Sequence, residues 1–373
     1  MRYLLIILCV CASVPLAAAS SAISLNGIQD LIAEKTIFQF DERKSRAEAI
    51  RGLLKTLNDP YAYYFDAPAY QKLQNKLNGK EFDIGIRVKK QGQKWIITQI
   101  FDGSPADTSS LELNQELTHI NGDAIQEWSE SQIYAALLGI PNSVVRLQTR
   151  QGGISKSLNT QILRKPYQTT MIPRYDILDF GVAYLQISHF DDAEPFEAFE
   201  KVMAYFKNAN ATNLILDLRH NTGGNFKRAI DIANSFLPAK TVLGYVNHRN
   251  AIRPLYAQEG TLFQPNKIVI IINEHTASSA EILASILRTY FKSSIMGVQS
   301  EGKAYIQKLY PLDQNDAILL TISEYLPPNK RSFQKIGLKP DIIVQDAKSY
   351  PKDQDMAILY ALHHIKTWDD PTP

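Results

Sequence analysis

The chain has 373 residues, 45% hydrophobic and 21% charged, proportions that exclude a disordered, collagen-like or multi-span membrane protein. Lys and Arg number 40 against 38 Asp and Glu, and a net charge of +2 gives no electrostatic case for nucleic acid. Two cysteines, Cys9 and Cys11, cannot build a disulfide framework or a Cys-based zinc site.

The amino terminus reads as an export signal. Arg2 supplies a positive charge, Leu4 to Leu16 is an almost unbroken apolar run, and Ala17-Ala18-Ala19-Ser20 is a small-residue cleavage site. A signal peptide over 1–19 is therefore expected, leaving a soluble chain in the periplasm or another extracytoplasmic space. The run is short for a bilayer span of about 20 residues, so a retained anchor is the weaker alternative. Both cysteines leave with the signal, which excludes thiol catalysis in the mature chain and suits an oxidising compartment.

From about Ile23 to Leu77 apolar residues recur at helical spacing, as in Ile28, Leu31, Ile32 and then Ala49, Ile50, Leu53, Leu54, Leu57. This predicts an N-terminal helical segment over 20–77, with a turn at Asn58-Asp59-Pro60. Over 78–165 the pattern changes to short strands: Asp83 to Val88, Lys94 to Ile100, Leu117 to Asp123 ending in an Asn-Gly turn, Val144 to Thr149 and Lys156 to Leu163. One helix, about Glu130 to Leu138, completes a compact, mainly β domain. Over 166–346 strands alternate with helices. Apolar runs at Val182 to Ile187, Asn213 to Leu218 and Lys267 to Ile272 read as strands buried on both faces of an α/β layered domain. An amphipathic helix from Met356 to Ile365 lies within a C-terminal tail over 347–373.

Two strand-to-helix junctions can carry chemistry. After Asn273 the chain runs Glu274-His275-Thr276-Ala277-Ser278-Ser279-Ala280-Glu281, which sets Ser278 at a helix N-terminus. Unpaired N–H groups and the helix dipole there favour developing negative charge, so Ser278 can be a nucleophile with the N–H of Ser279 as an oxyanion donor. The same Ser-x-x-Glu is also a capping box, which is the commoner use of such a serine. A nucleophilic serine needs a base. His275 is too close along the turn, and there is no G-x-S-x-G elbow. A lysine of lowered pKa is the other choice, and Lys303 follows Gly302 in a loop, although spacing alone does not select it. The second junction, Asp217 through Gly223-Gly224, leaves backbone N–H groups open to an oxyanion or a phosphate without being a Walker or dinucleotide motif.

Taken together, these windows resemble the C-terminal-processing (tail-specific) serine peptidases, exported enzymes with a PDZ domain ahead of a protease core. Leu57-Asn58-Asp59-Pro60-Tyr61-Ala62-Tyr63-Tyr64 is similar to the family's opening motif. Ile84-Gly85-Ile86, Gly103-Ser104-Pro105-Ala106 and Ile120-Asn121-Gly122 are similar to its PDZ domain. Leu216-Asp217-Leu218-Arg219 through Gly223-Gly224, then Thr276-Ala277-Ser278 with Glu281, Gly302-Lys303 and Gln307, resemble its catalytic segments. Gly337-Leu338-Lys339-Pro340-Asp341 closes the series in the family's order.

The resemblance implies an α/β protease core of crotonase/ClpP-like layered βα units over 166–346, with an inserted PDZ-like domain over 78–165. It implies Ser278 as nucleophile, Lys303 as general base 25 positions later and Gln307 as the residue that orients the lysine. Backbone N–H groups of Ser279 and of Gly223 or Gly224 would form the oxyanion hole. The departure at Ser278-Ser279-Ala280 leaves Ser279 as a rival, and Glu301, where the family has an aromatic, is expected to face solvent. In the PDZ-like domain the loop over 80–85 is the expected carboxylate site, with Phe82, Asp83, Ile84, Gly85 and Ile86 binding the peptide and Phe82, Ile84 and Ile86 around an apolar pocket. The partners implied are proteins with apolar C-terminal tails, with an adaptor and a homo-oligomer left open. No metal or organic cofactor is implied. The alternatives are a non-catalytic peptide-binding protein on the same scaffold and, with less support, a phosphate- or acyl-CoA-binding α/β enzyme using Gly223-Gly224.

Overall fold

The structure, a computed structural model, describes residues 24–77, 82–101, 103–151, 157–167, 170–190, 195–258, 260–312, 315–345 and 355–367. The expected signal peptide lies outside them. The chain divides into two compact units at Asn58/Asp59. In the first, α1 (Leu25–Lys35) starts where Ser24 Oγ accepts the N–H of Gly27, and α2 (Glu42–Thr56) starts where Asp41 accepts that of Lys44, both at 3.0 Å. Such caps satisfy donors that a helix start leaves unpaired. Neither helix has a fully buried residue.

The second unit opens with β1 (Tyr63–Phe65) and α3 (Ala67–Leu77). An antiparallel sheet follows, from β2 (Ile86–Gln91), β3 (Lys94–Ile100), β4 (Glu116–Ile120), β5 (Asp123–Ala124), β6 (Val144–Arg150) and β7 (Ser157–Leu163), with α4 (Glu130–Leu137) against it. Its order is β2-β3-β4-β6-β7, with β5 on β4. Strict alternation in β6 sends Val145 and Leu147 inward to meet Ile86, Val88, Trp95, Ile97 and, from α4, Ile133 and Leu137. Α capping box of Ser129 and Gln132 fixes the start of α4.

The central sheet is built from β8 (Arg174–Leu178), β9 (Val182–Gln186), β10 (Asn213–Asp217), β13 (Lys267–Ile272), β14 (Lys292–Gly297) and β17 (Ile342–Ile343). Their order is β17-β14-β13-β10-β9-β8, parallel throughout except where β8 joins β9. The helices that cover it are α5 (Phe196–Asn208), α6 (Phe226–Asn234), α7 (Ser279–Tyr290) and α8 (Met356–Thr367). The two faces can be read from the pleat. Ile268, Ile270 and Ile272 of β13 join Leu214 and Leu216 in one core with α5, α6 and α7, while Val269, Ile271, Ile215 and Tyr184 join Ala357, Ala361 and Ile365 of α8 in another. Parallel strands therefore end together, and the turns after β10 and β13 lie side by side.

Two expectations change. The βα alternation expected over 166–346 is interrupted by an antiparallel sheet of β11 (Val242–His248), β12 (Ala251–Tyr256), β15 (Tyr305–Pro311) and β16 (Ala317–Leu326). Their many half-buried positions leave no clean period in the sequence. The helical reading of 20–77 also misses β1, whose Tyr63 pairs with Leu319 of β16. Only this tertiary pairing makes three residues a strand.

Candidate active site

The turn from β13 to α7 is held rigidly. Asn273 N–H donates to Thr276 Oγ1 at 2.9 Å, Thr276 Oγ1 donates to the carbonyl of Leu218 at 2.8 Å, and Ala277 N–H donates to that of Asn221 at 2.9 Å. The result is Ser278 at φ 54°, ψ −120°, left-handed backbone that a non-glycine residue adopts at a cost of about 1–3 kcal/mol. Ser278 is half-buried between the buried Ala277 and Ser279. Ser279, the rival, is 1% exposed, and its hydroxyl donates to the carbonyl of Gly224 at 3.0 Å. It ties the two junctions together.

The glycine turn after β10 packs directly on this serine. A Cβ on Gly223 (φ 101°) would lie 2.8 Å from Ser278 Cβ, and one on Gly224 would lie 2.8 Å from the Phe190 backbone. Gly223 N–H donates to Asn221 Oδ1 at 2.9 Å. Among the described residues, the N–H groups of Gly224 and Ser279 have no acceptor within the chain. Of the three expected oxyanion donors these two are available, and the N–H of Gly223 is engaged. Upstream, buried Asp217 accepts from Tyr184 Oη at 2.9 Å and from Arg219, whose guanidinium also reaches Asp355 beside α8 at 2.6 Å.

Glu281, on the first turn of α7, carries more than its sequence signal as a capping partner and motif residue. It has no exposed surface. Its carboxylate accepts from Ser278 N–H (2.9 Å), Ser300 Oγ (2.5 Å), Gly302 N–H (2.7 Å) and Lys303 N–H (2.8 Å). Burial raises its pKa, and these four donors oppose the rise. One carboxylate thus joins the serine turn to the lysine segment.

Gly302 (φ 89°) has no room for a side chain, since a Cβ would lie 2.6 Å from the nitrogen of Gly337. Next to it, Lys303 Nζ stands 4.6 Å from the centroid of the Tyr61 ring. Gln307, inside β15, donates from Nε2 to the carbonyl of Tyr61 at 2.9 Å. Asp59 holds the same segment, accepting from Tyr61 N–H at 3.0 Å and from Thr321 N–H at 3.3 Å. Tyr61 was visible in the sequence only as part of the opening motif. Glu301 is exposed, as expected, and its carboxylate meets Lys89 of β2.

Lys303, Gln307 and Tyr61 open on a cavity of about 400 Å³, lined also by Ile86, Arg87 and Val88 of β2 and by Ile133, Tyr134 and Leu137 of α4. Of the expected peptide-binding residues only Ile86 lines it. Ile84 is wholly buried in the sheet's own core, and Phe82 bridges to Gly139. Asp83 is 2% exposed and accepts from Gly85 N–H at 2.8 Å and from Tyr167 Oη. Within the loop expected to receive a terminal carboxylate, the N–H of Gly85 is thus engaged by a carboxylate of the chain itself.

The site thus sets a hydroxyl on a strained strand-to-helix turn beside backbone donors, with one buried carboxylate joining that turn to a lysine segment. The family model for peptidase family S41 matches residues 181–344. Carboxy-terminal processing protease CtpB of Bacillus subtilis is 27% identical over 318 residues, covering 85% of this chain and 66% of that protein. A carboxyl-terminal-processing protease of Synechocystis sp. is 27% identical over 310 residues, covering 81% and 72%. Over residues 181–344 the chain is similar to peptidase family S41, and it is a serine-type peptidase. Among solved structures, the photosystem II D1 C-terminal processing protease shares the fold at TM-score 0.72 and 20% identity, covering 85% of this chain and 86% of that one. A putative S41 protease from Bacteroides fragilis does so at TM-score 0.57 and 15% identity, covering 92% and 97%.

Proposed function

We propose that the protein is an exported endopeptidase that cleaves proteins near their C-termini with Ser278 as nucleophile and Lys303 as general base. In this reading neutral Lys303 takes the Ser278 proton as Oγ bonds to the scissile carbonyl carbon. The oxyanion then lies between the N–H groups of Ser279 and Gly224, and the lysine ammonium returns a proton to the leaving amine as the C–N bond breaks. The observation that carries it is the Glu281 carboxylate, which accepts the N–H groups of both Ser278 and Lys303.

We read residues 78–165 as a PDZ-like module and the core as crotonase/ClpP-like βα units. The groove between β2 and α4 opens on the same cavity as Lys303, which suits delivery of an apolar tail along β2 toward Ser278. Arg87, whose guanidinium already lies 3.9 Å from Asp83 and over the Phe101 and Tyr134 rings, is the cation on that wall that would meet a terminal carboxylate. The test is proteolysis of an unfolded substrate with an apolar tail, as free acid and as amide, by wild type, Ser278→Ala and Lys303→Ala. The account expects both variants to be inactive and the amide to be cut at least tenfold more slowly. Activity in Ser278→Ala would refute the nucleophile, and equal rates for acid and amide would refute tail recruitment. The strained geometry of Ser278 speaks against the alternative of a non-catalytic binding protein, which would have no use for it.

A further inference from the structure

We propose that Tyr61 is the positioning residue for Lys303, its ring face fixing the lysine tip, and that Gln307 acts on the base through Tyr61. The inference rests on the reading of Lys303 as general base.

A lysine carries its charge on a flexible four-carbon stem, so a fixed backbone does not fix its nitrogen. Here Glu281 holds the backbone end of Lys303, through the N–H at 2.8 Å. The far end lies on the Tyr61 ring, 4.6 Å from its centroid, within the range of cation–π attraction. The ring is itself immobilised. Asp59 holds its N–H, Gln307 its carbonyl, and Tyr305 packs edge-on at 6.0 Å. Burial raises the phenol's pKa, with Gln334 opposing and with Glu281, Tyr305 and Asp59 adding to the rise, so the ring stays neutral and its face, not a phenolate, meets the lysine. Gln307 donates from Nε2 to the Tyr61 carbonyl, and so it holds the backbone that carries the ring.

A ring face favours ammonium over amine. Tyr61 therefore stabilises the ammonium formed when the Ser278 proton moves to Nζ, and it raises the pH at which the free amine becomes available. Among the described residues, Arg87, Tyr63 and Tyr134 line the cavity with this lysine, Glu301 next to it in the chain meets Lys89, and Tyr305, Glu281 and Asp59 lie around the Tyr61 ring.

The experiment compares pH profiles of kcat/KM on one peptide substrate for wild type, Tyr61→Phe, Tyr61→Leu, Gln307→Ala and Lys303→Ala. In parallel, the pH dependence of Lys303 labelling by an amine-reactive reagent is read by mass spectrometry. Tyr61→Phe keeps the face and is expected to match wild type within threefold. Tyr61→Leu is expected to lower the plateau at least tenfold and to move both the rising limb and the labelling curve down by about one pH unit. Gln307→Ala should move both in the same direction by less, and it serves as the probe if Tyr61→Leu does not fold. Unmoved limb and labelling curves in a folded Tyr61→Leu or, failing that, Gln307→Ala would overturn the positioning role, while an inactive Lys303→Ala would leave the Ser/Lys reading standing. A fully active Lys303→Ala would overturn both.

Discussion

The backbone N–H groups of Ser278 and Lys303 point at the same oxygen, Glu281 Oε2, from 2.9 and 2.8 Å. Two residues 25 positions apart thus share one acceptor, and that acceptor is buried on the first turn of α7. The other oxygen, Oε1, takes Ser300 Oγ and Gly302 N–H, so the carboxylate has a donor on every side. This hub fixes the backbone of both residues relative to each other.

Glu281→Gln places an NH2 where one of the two acceptor oxygens stood and leaves donors facing a donor. Expected are a stability loss of about 2–4 kcal/mol and a fall in kcat on the order of 100-fold, the scale of a misplaced catalytic group. Urea unfolding and steady-state kinetics on the same preparation separate the two effects.

Gly223→Ala puts a methyl 2.8 Å from Ser278 Cβ at a φ of 101°, so the serine turn or the glycine turn must shift. Loss of activity by at least 100-fold is expected, with a smaller loss of stability, about 1–3 kcal/mol. A folded, fully active Gly223→Ala would show that the two turns are not the rigid pair described above.

Ser279→Ala removes only the hydroxyl bond to the Gly224 carbonyl and retains the backbone N–H. Activity within tenfold of wild type and a stability cost of about 1 kcal/mol are expected, measured by kcat and by urea midpoint.

Asp355 gives the fold a pH dependence. Burial alone would raise its pKa, but the hydrogen bonds and charge of Arg219 more than offset this and hold it below 3.8. A carboxyl depressed in the folded state contributes stability that is fully present above its unfolded value and is lost as pH falls through the lower, folded one. Asp355→Asn is expected to cost about 1–3 kcal/mol near neutral pH and to flatten the decline below about pH 4. Urea midpoints between pH 7 and pH 3 measure both.

How much was legible in the sequence follows from which interactions are local. Β13 and α7 stand out because an apolar run and an amphipathic period meet at Asn273, and the same pattern puts Ser278 at the helix start. The Gly223-Gly224 turn is legible because only glycine fits so close to Ser278 and Phe190. The sheet holding β1, β15 and β16 was not, since Tyr63 meets Leu319 across the length of the unit and its strands are half-buried without alternation. For the same reason Tyr61 was read as a motif residue and not as a neighbour of Lys303. Glu281 was misjudged in another way: its spacing from Ser278 satisfies a capping box, and nothing local reveals the three further donors.

The most direct measurement locates the adduct formed by a fluorophosphonate, by peptide mass spectrometry, and follows its rate with pH in wild type and Lys303→Ala. The account predicts a single adduct on Ser278, forming faster as pH rises and at least 100-fold more slowly in Lys303→Ala. An adduct on Ser279, or one on Ser278 whose rate ignores both pH and Lys303, would contradict it.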